Sequence, residues 1–386
     1  MGYRKFSADQ LFTGYELLDN CTLVVNENGI VEELLTGLNN NDDTEILKGT
    51  ICPGFVNAHC HLELSHMKGR IPPGSGLVDF VFNVIKDRHT EKETILEAIA
   101  DGEDEMIKNG IVAVGDICNN PLTLIQKLQK NLHYHNFIEA SGFVPSVVQE
   151  RFMKSVDLFN VYAELYRDPQ ASNSLAPHAP YSVAFDLLQK ITAFPGNSIL
   201  TMHNQESEDE NALFKNKQGD FIRLYEKMNI DHTFFIPQGK SSLQSCLPYF
   251  FPQQTLILVH NVATSEDDLK FISENETPRL FFCLCPNANL YITGQLPPVD
   301  LLLKYKCELV LGTDSLASNS SLSILAEINT LKKHFPHLTI ELLLKWATIN
   351  GATALNIDDR FGSFEKGKQP GILLIDPSFS SAERLL

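Results

Sequence analysis

The feature that most constrains the fold is a repeated alternation of short apolar, β-branched runs with longer amphipathic segments. Eight strand-like runs follow one another, at 50–58, 110–117, 135–142, 174–179, 198–204, 255–261, 280–286 and 308–314. Helical patterns with apolar residues near 3.6 spacing lie between them, at 92–109, 183–194, 265–274 and 321–335. A strand followed by a helix, eight times over, predicts an α/β protein with a (β/α)8 TIM barrel and a parallel sheet.

Two regions lie outside this alternation. Residues 1–49 contain strand-like runs broken by the turn signal Asn26-Glu27-Asn28-Gly29, and residues 357–386 again combine strand and turn patterns. Neither segment is long enough to form a stable sheet alone. We therefore expect the two segments to pair into one small β-sandwich-like subdomain beside a barrel at 50–356.

Composition and charge exclude several classes of protein. The 386 residues are 43% hydrophobic and 20% charged, which is typical of a soluble globular protein. A net charge of -17 disfavours nucleic acid as a partner, because a phosphate backbone would be repelled. The chain has no signal-like start and no apolar run long enough for a bilayer, so we expect a cytoplasmic protein with no membrane partner. The expected partners are a small-molecule substrate and a second copy in a homodimer.

The segment CPGFVNAHCHLELSH places His59 and His61 one residue apart at the end of the first predicted strand. On a strand, residues i and i+2 point to the same side, so these two imidazoles can converge on one point beyond the strand end. This is the placement that two ligands of one metal ion require, although two structural histidines would give the same pattern.

Polar residues recur at the ends of the other predicted strands, where a TIM barrel has its active site. They are Asp116, Glu139, His178, His203, His260, Asn287, Asn289 and Asp314. Three histidines and an aspartate can bind zinc or ferrous iron with one position left for water, whose pKa the ion lowers toward neutrality. Glu206, three residues after His203, is close enough to transfer the proton.

Each of these residues also has a purely structural interpretation. Glu206 resembles a solvent-facing carboxylate at a helix start, His260 a satisfied core histidine, and Asp314 a helix cap. His178 in APHAPYS could cap the following segment. Taken together, these interpretations require independent coincidences at strands 1, 4, 5, 6 and 8, so we favour a shared site.

Five segments, in this order, resemble motifs of the amidohydrolase superfamily: PGFVNAHCH, APHAPYS, HNQE, CPNANL and LGTDSLASN. The resemblance covers nearly the whole chain. It is to the aminohydrolase branch, which contains purine, pyrimidine and nucleoside deaminases and related chlorohydrolases. Within that branch, HCHLELS and GTDSLASN are most similar to the aminodeoxyfutalosine deaminases.

The resemblance implies a role for each matched residue. One divalent ion, zinc rather than iron, would be bound by His59, His61, His203 and Asp314. Glu206 would be the general acid/base, and His260 and Asp314 would hold the attacking hydroxide. His178 would contact the substrate heterocycle, and Asn289 belongs to the strand 7 signature that contacts substrate. Strand 4 lacks the lysine that bridges two metals in other branches, which implies a mononuclear site.

Glu63 lies two residues past His61, so on an extended backbone it would face the ligand side and could bind ribose hydroxyls. Lys68 and Arg70 follow and could meet an anionic substituent such as a benzoate. We therefore expect a metal-dependent aminohydrolase that deaminates a purine-like or nucleoside substrate, with aminodeoxyfutalosine as the candidate.

Other functions remain open at this point. They are a chlorohydrolase or cyclic amidohydrolase acting on a related heterocycle, a guanine or S-adenosylhomocysteine deaminase, and a catalytically silent binding protein. The insert at 211–254 carries no motif that assigns it a role.

Overall fold

A computed structural model describes residues 2–36, 43–166 and 172–386, and the first part of the chain consists of short strands. These are β1 (Tyr3–Ser7), β2 (Gln10–Phe12), β3 (Leu17–Asp19), β4 (Cys21–Asn26), β5 (Val31–Thr36), β6 (Thr44–Ile46) and β7 (Thr50–Pro53). One sheet has the order β5-β4-β1-β6. Strands β3, β2 and β7 are neighbours, in that order, in a second sheet.

The central part contains eight strands that run parallel in sequence order. They are β8 (Phe55–Cys60), β9 (Ile111–Cys118), β10 (His133–Ala140), β11 (Ser172–Pro177), β12 (Ile199–Asn204), β13 (Thr255–His260), β14 (Arg279–Leu284) and β15 (Glu308–Leu311). They pair as two four-stranded sheets. At one edge the His203 N–H donates a hydrogen bond to the His178 carbonyl at 3.0 Å. At the other edge Cys60 and Asp314 form a parallel β-bridge, so the two sheets adjoin at both edges. The predicted TIM barrel is confirmed.

Helices connect these strands and surround them. They are α1 (Leu77–Asp87), α2 (Lys92–Lys108), α3 (Leu124–Lys127), α4 (Val148–Leu165), α5 (Phe185–Thr192), α6 (Glu208–Asn216), α7 (Phe221–Lys227), α8 (Ser242–Cys246), α9 (Glu266–Glu274), α10 (Pro286–Ile292), α11 (Val299–Lys304), α12 (Ile324–His334), α13 (Ile340–Lys345) and α14 (Gly351–Ala354). Short 3-10 helices include Leu62–Met67 and Pro180–Ser182. Over the described ranges, every helix is too short or too polar to cross a bilayer.

The two ends of the chain meet in one sheet. The last strands are β16 (Ile372–Ile375) and β17 (Ala382–Arg384), and the second small sheet has the order β17-β16-β7-β2-β3. Phe6, Leu23, Ile51 and Ile372 share one apolar cluster, so the two small sheets bury a common core. This confirms the small β subdomain formed by the terminal segments.

The predicted strand 50–58 is in fact two strands, β7 and β8, that belong to different sheets. Gly54 lies between them, and a Cβ there would approach Val112 Cγ1 to 2.3 Å and the Pro370 carbonyl oxygen to 2.7 Å. The backbone can therefore cross from the small sheet into the barrel because the residue has no side chain. The domain boundaries after residues 49 and 356, the homodimer and the cytoplasmic location stay predictions.

A buried ion pair lies beneath the barrel mouth. Lys127 Nζ donates to Asp116 Oδ2 at 2.5 Å and to Asn136 Oδ1 at 2.7 Å, and the Lys127 and Asp116 side chains are fully buried. Asp116 Oδ1 accepts the N–H of Leu62 at 2.9 Å. Because a buried charge must be paired and hydrogen bonded, this pair fixes the backbone directly after His61.

Candidate metal centre and active site

Four side chains from the first, fifth and last barrel strands converge at the barrel mouth. His59 lies in β8 and His61 directly after it, His203 lies in β12, and Asp314 follows β15. Their ligand atoms lie within 4.8 Å of one another, and all four residues are buried. The alternation of a strand gives His59 and His61 a common direction, and barrel closure brings Asp314 to them.

The donor atoms of this cluster fit a divalent cation. His203 Nδ1 lies 2.7 Å from the His178 carbonyl oxygen and so carries the proton, which leaves a lone pair on Nε2. That atom lies 3.2 Å from His61 Nε2, and neither ring nitrogen of His59 has a hydrogen-bond partner among the described residues. Burial lowers the pKa of His61 well below its usual value and that of His203 to about 3. Neutral imidazoles beside a carboxylate are a donor set that can hold a divalent cation.

A second group, formed by Glu139, His178 and His203, also has ligand atoms within 4.8 Å of one another. His203 cannot serve both groups, because its Nδ1 is occupied by the His178 carbonyl and its Nε2 faces His61. Glu139 and His178 are therefore left as polar groups that line the cavity described below.

Glu206 and His260 form a second buried pair beside the cluster. His260 Nε2 lies 3.6 Å from Glu206 Oε1, and Asn289 Nδ2 donates to His260 Nδ1 at 3.0 Å. Nε2 therefore carries the proton of the neutral ring. Burial lowers the pKa of His260 to about 3. Burial, and to a smaller extent the negative charges of Asp314 and Glu210, raise the pKa of Glu206 well above its usual value. Glu206 can thus hold and release a proton beside a fixed hydrogen-bond donor.

These groups lie at the floor of a cavity of about 380 Å³. Helix α1 contributes one apolar wall through Leu77, Phe80, Val81, Val84 and Ile85. The insert at 211–254, which the sequence left without a role, contributes another through Leu224, Tyr225, Met228 and Ile230. The cavity therefore combines a polar floor with an apolar entrance, as in many small-molecule sites.

Ion pairs connect the two apolar walls. Arg223 of α7 forms two hydrogen bonds with Asp79 of α1, at 2.8 and 3.0 Å, and Lys227 Nζ lies 2.8 Å from Asp79 Oδ1. The three side chains are 38–39% exposed. Two arginines, Arg88 and Arg151, also line the cavity.

The structure places most of the predicted residues at the cavity. His178 lines it, with Nδ1 bound to Ser182 Oγ at 2.6 Å, and burial, with charges of Arg88 and His59, lowers its pKa to about 4. Asn289 is instead packed behind His260 and is not among the described residues that line the cavity. Asn289 therefore contacts His260, and its predicted substrate contact stays a prediction.

Glu63 requires a correction, because the extended backbone expected there is wrong. Residues Leu62–Met67 form a 3-10 helix, and this helix directs the Glu63 carboxylate to Arg88 Nη2, to the Asn119 N–H at 3.0 Å and to Asn120 Nδ2 at 2.8 Å. In the described parts of the chain, Glu63 is not a lining residue of the cavity.

The two cations that the sequence suggested for substrate binding, Lys68 and Arg70, do not line the described cavity. Lys68 pairs with Glu105 at 3.2 Å. The lining arginines, Arg88 and Arg151, were missed. The apolar run at 77–85 was a signal for Arg88, because this arginine directly follows the helix that forms the cavity wall.

The sequence profile of the Amidohydrolase family matches residues 50–384. The chain belongs to this family. An adenosine deaminase of Helicobacter pylori is 28% identical over 326 residues, which cover 83% of this chain and 77% of that protein. A 5'-deoxyadenosine deaminase of Methanococcus vannielii is 26% identical over 358 residues, 87% of this chain and 77% of that protein.

Two solved structures of deaminases share the fold. Aminofutalosine deaminase of Helicobacter pylori in complex with methylthio-coformycin has a TM-score of 0.85 at 23% identity, covering 99% of this chain and 97% of that chain. An adenosine deaminase of Xanthomonas campestris with bound zinc has a TM-score of 0.72 at 20% identity, covering 97% and 84%. The family resemblance drawn from the sequence motifs is confirmed.

The metal centre makes a direct prediction about ion content. His61→Ala removes a ligand nitrogen from the cluster, so we expect about one equivalent of bound metal in the wild type and at most about a fifth of that in the variant. Elemental analysis after desalting measures both. His89→Ala, which changes an exposed histidine, is the control. Full activity after exhaustive chelation, with no metal detected, would contradict the assignment.

Proposed function

We propose that this amidohydrolase is a metal-dependent deaminase that replaces the exocyclic amino group of a 6-aminopurine nucleoside by oxygen and releases ammonia. One observation carries the proposal: the metal-ligand cluster lies beside Glu206 and His260 at the floor of a cavity with the volume of a small-molecule site. The adenosine and 5'-deoxyadenosine deaminases among the relatives support a nucleoside substrate.

The residues of the floor divide the chemistry between them. His59, His61, His203 and Asp314 would hold a divalent ion, which would supply Lewis acidity and lower the pKa of water toward neutrality. We propose zinc rather than iron, which the zinc-bound neighbour from Xanthomonas campestris supports.

Glu206 accepts a proton from the attacking water and delivers it to the ring nitrogen beside the amino-bearing carbon. A carbon–oxygen bond forms at that carbon, and the carbon–nitrogen bond breaks. The amino group leaves as ammonia with the second proton of the water. His260 Nε2 donates a hydrogen bond to the oxygen as charge develops on it, since Asn289 fixes the tautomer.

The entrance of the cavity suits a nucleoside substrate whose tail is an apolar group that carries a negative charge. Its walls are apolar, and Arg151 lies at its rim in an exposed position. Among the described residues, no hydrogen bond or ion pair involves the Arg151 guanidinium. An unpaired guanidinium at an apolar entrance suits an aromatic carboxylate. We propose aminodeoxyfutalosine as the candidate, as the similarity to aminofutalosine deaminase also suggests.

A substrate panel tests the reaction class. Ammonia release should be measured with adenine, guanine, cytosine, adenosine, S-adenosylhomocysteine, methylthioadenosine and aminodeoxyfutalosine, with metal analysis of the same sample. We expect the best nucleoside to exceed the free bases at least about tenfold in kcat/KM, because only a nucleoside reaches both the floor and the entrance. Guanine as the best substrate, or release of chloride or a ring-opened product from halogenated or cyclic-amide analogues without ammonia from nucleosides, would refute the proposal.

Glu206 should be essential for turnover but not for metal binding. Glu206→Gln keeps the size of the side chain and removes its titratable proton, so we expect kcat to fall at least about a hundredfold while the metal content stays unchanged. Glu208→Gln removes the same charge from an exposed position two residues away and should keep normal turnover. Near-normal activity of Glu206→Gln would return Glu206 to a structural role.

Arg151 should discriminate between substrates with and without an anionic tail. For Arg151→Gln we expect kcat/KM for aminodeoxyfutalosine to fall about tenfold, the value of one charge-assisted hydrogen bond, while adenosine changes by less than about twofold. Lys154→Gln, on the exposed face of the same helix, is the matched control. Equal losses with both substrates would rule out recognition of the tail by Arg151.

A further inference from the structure

A second buried carboxylate lies behind the proposed general acid/base. Glu210, in the first turn of α6, is fully buried, and its Oε1 accepts the Gln205 N–H at 2.9 Å. Its Oε2 accepts no close hydrogen bond within the described residues, although the nearby Ser242 hydroxyl and the backbone N–H of Glu206 partly offset the rise in its pKa that burial causes. Glu210 is also absent from the described lining of the cavity, so it does not touch a substrate there. A buried carboxylate with one oxygen that lacks a close hydrogen bond costs stability and therefore calls for a functional explanation.

The residue that Glu210 holds has a strained backbone. Gln205 has a φ of 47°, a left-handed conformation that is unfavourable for a residue with a side chain. Its Nε2 donates to Asn211 Oδ1 at 3.1 Å and to Asp268 Oδ2 at 3.0 Å, and its Oε1 accepts from Thr264 Oγ1 at 2.8 Å. Gln205 directly precedes Glu206, so this turn sets the direction of the Glu206 side chain.

The titratable groups around Glu206 come from four elements. Asp314 follows β15, His260 ends β13, Tyr181 lies in the 3-10 helix Pro180–Ser182, and Glu210 lies in α6. Because burial raises the pKa of Glu210 to about 7, Glu210 is a negative group beside Glu206 only at and above that pH. Two further titratable groups that face Glu210 are neutral at pH 7: Tyr225 of α7 and Cys246 of α8.

We propose that Glu210 is a positioning residue for the deamination: it fixes the Gln205 turn that aims Glu206. Where Glu210 is ionised, its charge also favours the protonated form of Glu206. The inference rests on the proposed role of Glu206 as general acid/base. The two effects of Glu210 are separable. The hydrogen bond from Gln205 needs only an acceptor oxygen, whereas the effect on the pKa of Glu206 needs the negative charge.

Two variants separate the effects. Glu210→Gln keeps an acceptor for Gln205 and removes the charge. Loss of a proton from Glu206 then becomes easier, so the acidic limb of kcat/KM should move to lower pH by about 0.5–1 unit, with plateau kcat within about threefold. Glu210→Ala also removes the acceptor, and plateau kcat should fall at least about thirtyfold. Glu208→Gln, exposed in the same first helical turn, should leave the profile unchanged because solvent screens its charge.

A measurement that does not depend on turnover reports the protonation of Glu206 directly. Infrared difference spectra between the wild type and Glu206→Gln identify the carboxylic-acid band of Glu206, and its pH titration should shift downward in Glu210→Gln by the same amount. Metal content and thermal unfolding of each variant are measured alongside. If Glu210→Ala does not fold, the Glu210→Gln profile and band decide alone.

The outcomes for the two proposals differ. An unmoved acidic limb and an unmoved Glu206 band in Glu210→Gln would overturn the inference while ammonia release by the wild type still supported the deaminase. Absence of ammonia release by the metal-loaded wild type would overturn the proposed function, and the infrared titration would still report on Glu210.

Discussion

The backbone carbonyl of His59 accepts the N–H groups of both Thr313 and Asp314 at 3.1 Å, and the site depends on this junction. Asn57 reinforces it, since Asn57 Nδ2 donates to Thr313 Oγ1 at 2.8 Å and Asn57 Oδ1 accepts the Thr313 N–H at 3.0 Å. The junction joins the first and last barrel strands. In an open sheet the histidines of the first strand and Asp314 would lie on opposite edges, so closure creates the ligand set and also removes the imidazoles from solvent, which disfavours their charged form.

Strained residues mark the ends of the strands that carry the chemistry. Gln205, His260, Asn261 and Asp314 all have positive φ values, between 47° and 76°, although none is a glycine. Such conformations persist only where the surroundings determine them, and each costs of order 1–3 kcal/mol. Asn261, for example, donates from Nδ2 to the Leu258 carbonyl at 2.8 Å. The barrel therefore stabilises a mouth that would not keep this geometry alone.

The common direction of His59 and His61 could be read from the sequence, because the alternation of a strand is local. Asp314 required the expectation of a closed barrel as well, since only closure brings the last strand to the first. The direction of Glu63 could not be read from the sequence, because a contact distant in sequence, the hydrogen bond from the Leu62 N–H to Asp116, accompanies a 3-10 helix where an extended chain was expected.

The cavity walls were also beyond the sequence. The insert at 211–254 and helix α1 line the cavity because of where they pack over the mouth, and no periodicity encodes that position. For the same reason Arg88 and Arg151 could not be separated in advance from Lys68 and Arg70. Local patterns predict ligands at strand ends, whereas the shape of a pocket is a property of tertiary packing.

The connection between Asp79 and its partners Arg223 and Lys227 has a consequence for the response of the protein to ionic strength. The Debye length is about 8 Å at physiological ionic strength and about 3 Å in 1 M salt, so concentrated salt weakens these contact ion pairs, whose side chains are 38–39% exposed. The buried ligand cluster is shielded from that screening. Added salt should therefore loosen the contact between the two cavity walls and leave the buried ligand cluster unchanged. Substrate entry and the chemical step should then respond differently to ionic strength.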